Sequence, residues 1–382
     1  MTSDIERAPW TADDALPEWA RSIPGPDLAL AWTAMITRET PGMEMHAWRL
    51  GPSDAPEALA CVHVLRGLDL AGYIGGAAQK IAAGLGRIGW HPLRMDIAFV
   101  ELPLLHLPGF SADPALDAER RLALFEAMMG ACRGLGADLV VARVLPGTPE
   151  THGSGLPLVP FMANHIIPLD PERPWRPSLV RRWRKKLGQL ERRMIRGDGS
   201  VRIHRDELPD AERMFDLYRA TVQRHEEGLQ HPIQITKTIL RALAELPRAQ
   251  RFVVGVYVRD ELAVFCLCLI TGGGMLLRTT GVDRPLSRPV HGYTNSYPPP
   301  IELAERLGCD HVDLGPTTED GKRRLGAHPI STSYLVDVRS RMLRPVVGMV
   351  ARRFANDSIT PALPEGAAYA AGHRLTASEV IR

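Results

Sequence analysis

Residues 311 to 326 read His311-Val312-Asp313-Leu314-Gly315-Pro316-Thr317-Thr318-Glu319-Asp320-Gly321-Lys322-Arg323-Arg324-Leu325-Gly326. Two carboxylates, two threonine hydroxyls and a Lys-Arg-Arg cluster in one short loop can hold an anion, polarise a carbonyl or move a proton. The residues ahead of the loop must position it. Pro300 to Gly308 predicts a helix opened by proline and closed by glycine, and Cys309 to Leu314 alternates like a short strand. A polar loop where a strand ends is a common place for open α/β sheets to bind ligands.

The same helix and strand occur earlier in the chain. After a predicted helix from Arg120 to Leu135, Leu135-Gly136-Ala137-Asp138-Leu139-Val140 repeats the pattern Leu307-Gly308-Cys309-Asp310-His311-Val312 at a shift of 172 positions (307 − 135). That spacing is too long for a solenoid and suits two copies of one domain. The first copy continues Val141-Ala142-Arg143-Val144-Leu145-Pro146, with neither Asp-x-Gly nor Lys-x-x-x-Gly. The duplication therefore predicts a degenerate first domain and a second that keeps the polar loop.

The 382 residues suffice for two or three domains, and 45% hydrophobic with 24% charged residues is an ordinary globular composition. Formal net charge is only +2, so attraction to a polyanion has to come from local clustering. Cysteines 61, 132, 266, 268 and 309 form no Cys-x-x-Cys and no zinc-ligand spacing, so no metal site is expected. They read as reduced thiols. The first residues lack the basic-then-apolar order of a secretory signal, and no apolar run reaches eighteen residues. The expected location is cytoplasmic, with no membrane-spanning segment.

In the first half, Met43 to Leu50, Ala58 to Leu65 and Leu93 to Leu105 are predicted strands, with a helix from Ile74 to Leu85 between the last two. Gly84-Leu85-Gly86-Arg87-Ile88-Gly89 has the letters of a dinucleotide fingerprint, but it follows helix formers where that motif must leave a strand. Glu101 is the one carboxylate of this half with a reading as a pocket residue, against the alternative of a solvated strand face. Phe161 to Leu169 is expected to close the first domain, and prolines 168, 171, 174 and 177 stiffen the connector that follows.

Leu179, Trp183, Leu187, Leu190 and Met194 recur at spacings of four, four, three and four, which predicts one apolar helical stripe capped by Ser178 and ended by Gly197. The rest of this helix holds Arg181, Arg182, Arg184, Lys185, Lys186, Arg192, Arg193 and Arg196 against one acid, Glu191. Such a face is either a solvated linker or the seat of a polyanion: RNA, coenzyme A phosphates or an anionic lipid head group. Beyond it the predicted order is strand, helix, helix, three strands joined by hairpin turns at Arg259-Asp260 and Gly272-Gly273-Gly274, loop, helix, strand, loop, strand.

Three features together resemble the FemAB-like branch of the GNAT acyltransferase superfamily: the Gly308, Asp313, Gly315, Lys322, Gly326 signature, the basic helix ahead of the second copy, and this element order. The resemblance implies an α/β (α+β) fold of two tandem GNAT-like domains joined by a basic helix. The expected ranges are 1–27 for an N-terminal extension, 28–176 for the degenerate first domain and 177–198 for the linker helix. Residues 199–345 would form the second domain and 346–382 a tail, helical at first and then flexible. The implied activity is N-acyl transfer from acyl-CoA or aminoacyl-tRNA, used as co-substrate with no permanent cofactor, to a small-molecule amine. It would serve cell-envelope precursor or natural-product synthesis, with tRNA a candidate partner and no DNA expected.

The Gln/Arg-x-x-Gly-x-Gly/Ala loop that holds the coenzyme A pyrophosphate in ordinary GNAT enzymes is missing here, since Pro298-Pro299-Pro300 stands where free amides would be needed. On this reading Lys322 contacts a phosphate or the oxyanion, and Asp283 and Tyr293 are candidates for proton handling. Arg278, Asn295, Ser296, Gly315, Thr317, Thr318 and Arg323 are candidates for the donor site. Arg181, Arg184, Lys185, Lys186, Arg192 and Arg193 are candidates for polyanion contact. The competing expectation is a non-catalytic double-GNAT protein that binds a ligand or an envelope partner, with the Lys322 loop packed away.

Overall fold

The computed structural model describes residues 5–70, 80, 84, 86–87, 89, 91, 93–145, 147–223, 233–316 and 319–339. The expected helix from Ile74 to Leu85 falls mostly outside these residues. Thr317, Thr318 and the tail helix expected from Val346 lie wholly outside them. The chain forms two compact units: the first runs to Ala163 and regains the chain at Ser331, and the second spans Asn164 to Ile330.

The first unit is built on β1 (Arg7–Pro9), β2 (Met43–Leu50), β3 (Ala58–Asp69), β4 (Arg94–Leu102), β5 (Leu107–Pro108), β6 (Phe110–Ala112) and β7 (Leu139–Val144). β1 to β4 pair antiparallel in sequence order, then β4 pairs parallel with β7 over Ile97–Val100 and Leu139–Ala142. A parallel pair needs a crossover, supplied here by helix α2 (Ala118–Gly134); helix α1 (Pro26–Glu39) precedes β2. The Asp117 carboxylate caps α2 by accepting from the Arg120 N–H at 2.7 Å. Leu124, Phe125, Met128, Met129 and Cys132 of α2 bury their side chains with Val62, Val64, Ala98 and Val140 in the core of this unit.

The second unit contains helix α3 (Arg181–Arg196), β9 (Gly199–His204), helix α4 (Ala211–Val222), β10 (Arg251–Val258), β11 (Glu261–Thr271), β12 (Gly274–Val282), helix α5 (Pro298–Arg306), β13 (His311–Asp313) and helix α6 (Glu319–Arg324). The turn residues Arg259 and Asp260 both have positive φ, 50° and 64°, as a two-residue hairpin demands. β9 to β12 pair antiparallel and β12 pairs parallel with β13, the pairing sequence of the first unit over again. Each copy of the repeated helix and strand thus delivers its strand, β7 or β13, to the parallel position. α4 crosses β12 so closely that a Cβ on Gly281 would lie 2.7 Å from the Tyr218 nitrogen.

The closing strand of each unit comes from outside its run of elements. β8 (Leu158–Pro168) enters the second unit at Asn164, where Ile166, Ile167 and Pro168 pair antiparallel with β13. β14 (His328–Val338) enters the first unit at Ser331 and pairs antiparallel with β7 through Ser333–Val338. The prolines point to a break at residues 170–177, whereas the boundary between the units falls inside β8, because strand pairing and not chain stiffness decides to which unit a residue belongs. All five cysteines are buried thiols, and among the described residues no helix is long and apolar enough to cross a membrane.

Candidate functional site

β12 and β13 stay paired for only three residues, Gly274–Leu276 against His311–Asp313, after which β12 continues alone beside β11. Between Leu277 and Thr280 β12 carries one more residue than β11 does between Cys268 and Cys266. Such a bulge re-aims a side chain, and Arg278, in the bulge and only 6% exposed, reaches β13. Its guanidinium donates to Asp313 Oδ2 at 2.5 Å. The other Asp313 oxygen accepts the Gly315 N–H at 2.7 Å, and Asn164 Nδ2 adds a third bond at 3.1 Å. Burial alone would raise the Asp313 carboxyl; the Arg278 charge and the hydrogen bonds from Arg278 and Gly315 outweigh it and hold the group below its ordinary value.

Lys322 completes the cluster. α6 brings it inward, and the helix end is held by Trp175 Nε1, which donates to the Leu325 carbonyl at 2.8 Å. Lys322 is 3% exposed, and its ammonium donates to the carbonyls of Gly315 and Pro316 at 2.8 and 2.5 Å. Gly315 adopts φ +72°, and a Cβ there would sit 3.2 Å from the Arg278 guanidinium. Burial pushes Lys322 down to about 7, reinforced by Arg278 and opposed by Asp313 and Cys266. An amine so placed changes protonation near neutral pH, next to the point where two parallel strands part.

Of the residues expected at this site, the structure brings together Arg278, Gly315 and Lys322. Asp283 is used elsewhere: Oδ1 caps a short turn by accepting from Leu286 N at 3.0 Å, and Oδ2 pairs with Arg213 at 3.1 Å. Tyr293 shares a 2.6 Å hydrogen bond with the Tyr297 hydroxyl. Asn295 Nδ2 donates to the carbonyls of Val290 and Leu190, tying this loop to α3, and Ser296 Oγ donates to the Tyr293 carbonyl. Arg323 is exposed. Asp313, the hub of the cluster, belongs to the sequence motif, yet its type and spacing alone assign it no role.

α3 buries Leu187, Leu190 and Met194 as its stripe requires, with Trp183 half-buried. Val180, not Ser178, stands at its N-cap, because Ser178 ends a preceding turn by donating to the Trp175 carbonyl at 2.6 Å. Arg181, Arg184, Lys185, Lys186, Arg192 and Arg193 are all exposed. The single acid, Glu191, is bound to Arg176 at 2.5 Å. Beside this helix lies a cavity of about 550 Å³ lined by Arg182, Trp183, Lys185, Lys186, Gln189 and Arg324. Arg182, Trp183, Gln189 and Arg324 lie outside the set expected from the sequence to contact a polyanion, although Arg324 belongs to the Lys-Arg-Arg cluster that signalled the loop.

The first unit has its own cluster where β4 and β7 part. Arg143, 1% exposed, donates to Glu101 Oε2 at 2.9 Å, Thr332 Oγ1 at 3.0 Å and the Tyr334 hydroxyl at 2.5 Å. Tyr334 in turn donates to Glu101 Oε2 at 2.8 Å, and the guanidinium lies over the rings of Phe161 and Tyr334. Glu101 is therefore neither a solvated strand residue nor part of an open pocket. A buried acid on a mostly apolar strand needs a cation, and Arg143, from the stretch that follows the repeated segment, supplies it.

Residues 181–323 match the family model described as "Acetyltransferase (GNAT) domain". The second unit thus carries a GNAT acyltransferase domain, in a mixed α/β fold. The chain is similar in fold to FemX, at 12% identity and TM-score 0.56, over 87% of this chain and 96% of that one. It is likewise similar to L-PGS from Bacillus licheniformis, at 9% identity and TM-score 0.52, over 87% and 98%. These matches extend well beyond the GNAT segment, so the fold shared with FemX takes in most of the chain. No curated protein matches the chain in sequence.

Proposed function

We propose that the second unit is an N-acyltransferase that takes an aminoacyl group from aminoacyl-tRNA and passes it to a small-molecule amine in envelope-precursor or natural-product synthesis, working in the cytoplasm. The amine nitrogen attacks the ester carbonyl, the C–N bond forms as the C–O bond to the ribose breaks, and the amine proton passes to the departing ribose oxygen. Arg278, Gly315 and Lys322 lie where the reacting groups would meet; Lys322 fixes the Gly315–Pro316 backbone and is the group poised to exchange a proton near neutrality.

The observation that carries the choice of donor is the start of α5. Pro298, Pro299 and Pro300 occupy its first three positions, so the amides with which a helix start holds a diphosphate are missing. The exposed Arg181, Arg184, Arg192 and Arg193 of α3 offer an RNA backbone the charge that the chain as a whole lacks. Native mass spectrometry with a mixture of aminoacyl-tRNAs and acyl-CoAs tests this directly: the RNA complex is expected, and a coenzyme A complex without one overturns the donor.

A second reading, a non-catalytic binding protein, is favoured by one observation: Arg278 and Lys322 both spend their donors on internal partners. It predicts donor binding without any amide product, whatever the amine supplied.

A further inference from the structure

We infer that the cavity beside α3 is a binding site for a phosphate-bearing small molecule of nucleotide size, distinct from the strand parting where transfer is placed. The lining chemistry is one-sided. Arg182, Lys185, Lys186 and Arg324 supply four cations, Gln189 an amide and Trp183 an indole, with no carboxylate. Among the described residues none of the four cations lies within ion-pair distance of an acid, and Glu191, the one acid of the helix, is taken by Arg176. Arg324 stacks over the Trp183 ring at 5.2 Å, which holds its guanidinium in place at the wall.

The helix itself points the same way. α2 and α4 are capped by Asp117 and Asp210 and carry Glu119 and Glu212 in their first turns, as the positive end of a helix favours. α3 has no side-chain cap and no acid in its first turn, and begins Arg181-Arg182-Trp183-Arg184. Cations gathered at the positive end of a helix repel it and one another, and an anion seated there relieves both. The volume selects among anions. About 550 Å³ lies in the range of organic ligand pockets and is far more than inorganic phosphate fills, whereas nucleic acid is bound along extended charged surfaces.

The test is isothermal titration of the full chain with adenosine 5′-diphosphate, inorganic pyrophosphate, adenosine and a short RNA hairpin, with no acyl donor present. The diphosphate is expected to bind at one per chain and adenosine not to bind. Lys185→Gln/Lys186→Gln and Arg182→Gln/Arg324→Gln should each weaken the diphosphate by roughly tenfold or more, since each removes two charged donors. Arg248→Gln, at an exposed arginine away from the cavity, should change nothing. Pyrophosphate binding as tightly as the nucleotide would overturn the size argument. Binding of the RNA alone, or diphosphate binding that survives both double substitutions, would overturn the site. Because no transfer is measured, any of these failures leaves the acyltransferase reading standing or falling on its own test.

Discussion

Where the parallel strands of the first unit part, β4 supplies an acid, Glu101, and β7 a base, Arg143. Where those of the second part, β12 supplies the base, Arg278, and β13 the acid, Asp313. The two halves share their order of pairing and reverse the polarity of the buried pair. They also finish it differently. In the first unit Thr332 and Tyr334 of the closing strand complete the network, and two aromatic rings cover the guanidinium. In the second the network ends on loop carbonyls and on Lys322, a group that titrates near neutral pH. One parting has become structural, while the other keeps chemistry that can change with its surroundings.

The largest effect should come from breaking the first network. Arg143→Met leaves the Glu101 carboxylate buried without its cation and should cost about 3–5 kcal/mol in denaturant unfolding; Glu101→Leu/Arg143→Met should recover most of it. A loss below about 1 kcal/mol for the single substitution would remove the structural half of the comparison.

Asp313→Asn should cost somewhat less, about 2–4 kcal/mol, because the amide still bonds to its neighbours. It should also change the acid limb. The folded-state value of Asp313 is depressed, so its contribution is present above the ordinary 3.8 and lost as pH falls through the folded value. The substituted protein should lack that part of the loss.

Lys322 works in the same pH direction, in a higher window. Its folded value of about 7 lies below the ordinary 10.5, so between these the unfolded chain binds more protons and stability should rise with pH. Lys322→Met should flatten the stability profile across that window, and an unchanged slope would mean that the amine is not desolvated as described.

The smallest effect on stability belongs to the α3 surface. Arg184→Gln/Arg192→Gln/Arg193→Gln should shift unfolding by no more than about 0.5 kcal/mol per site. RNA affinity should lose about one unit of salt slope for each phosphate contact removed. Equal salt slopes for the two proteins would take α3 out of the RNA interface.

Much of this architecture is legible in the sequence, because local periodicity writes strands and helices directly. Met43 to Leu50 alternates and is a strand over those very residues, and the echo between Leu135 and Leu307 marks the two parallel strands. The exchange of closing strands is not legible. Phe161 to Leu169 reads as a closing strand and a further strand is expected after the Lys322 loop, but which sheet edge each completes depends on pairings far apart in sequence. The site was half legible. Lys322 and Gly315 announce themselves by loop chemistry, but Asp283 and Tyr293 are typical catalytic types that the fold spends on a cap and a hydroxyl pair. Glu101 found its partner 42 residues along the chain, and no spacing rule reaches that far.

The central claim is that the second unit transfers an aminoacyl group from RNA, and a transfer assay with native detection reaches it most directly. The chain is incubated with a mixture of charged tRNAs and acyl-CoAs and a panel of small-molecule amines, and the products are weighed. An amide carrying an amino-acid residue, formed only with charged tRNA, abolished by Lys322→Met and retained in Glu101→Leu/Arg143→Met, is the predicted result. Amide formation from acyl-CoA alone, or product that persists without Lys322, would contradict it.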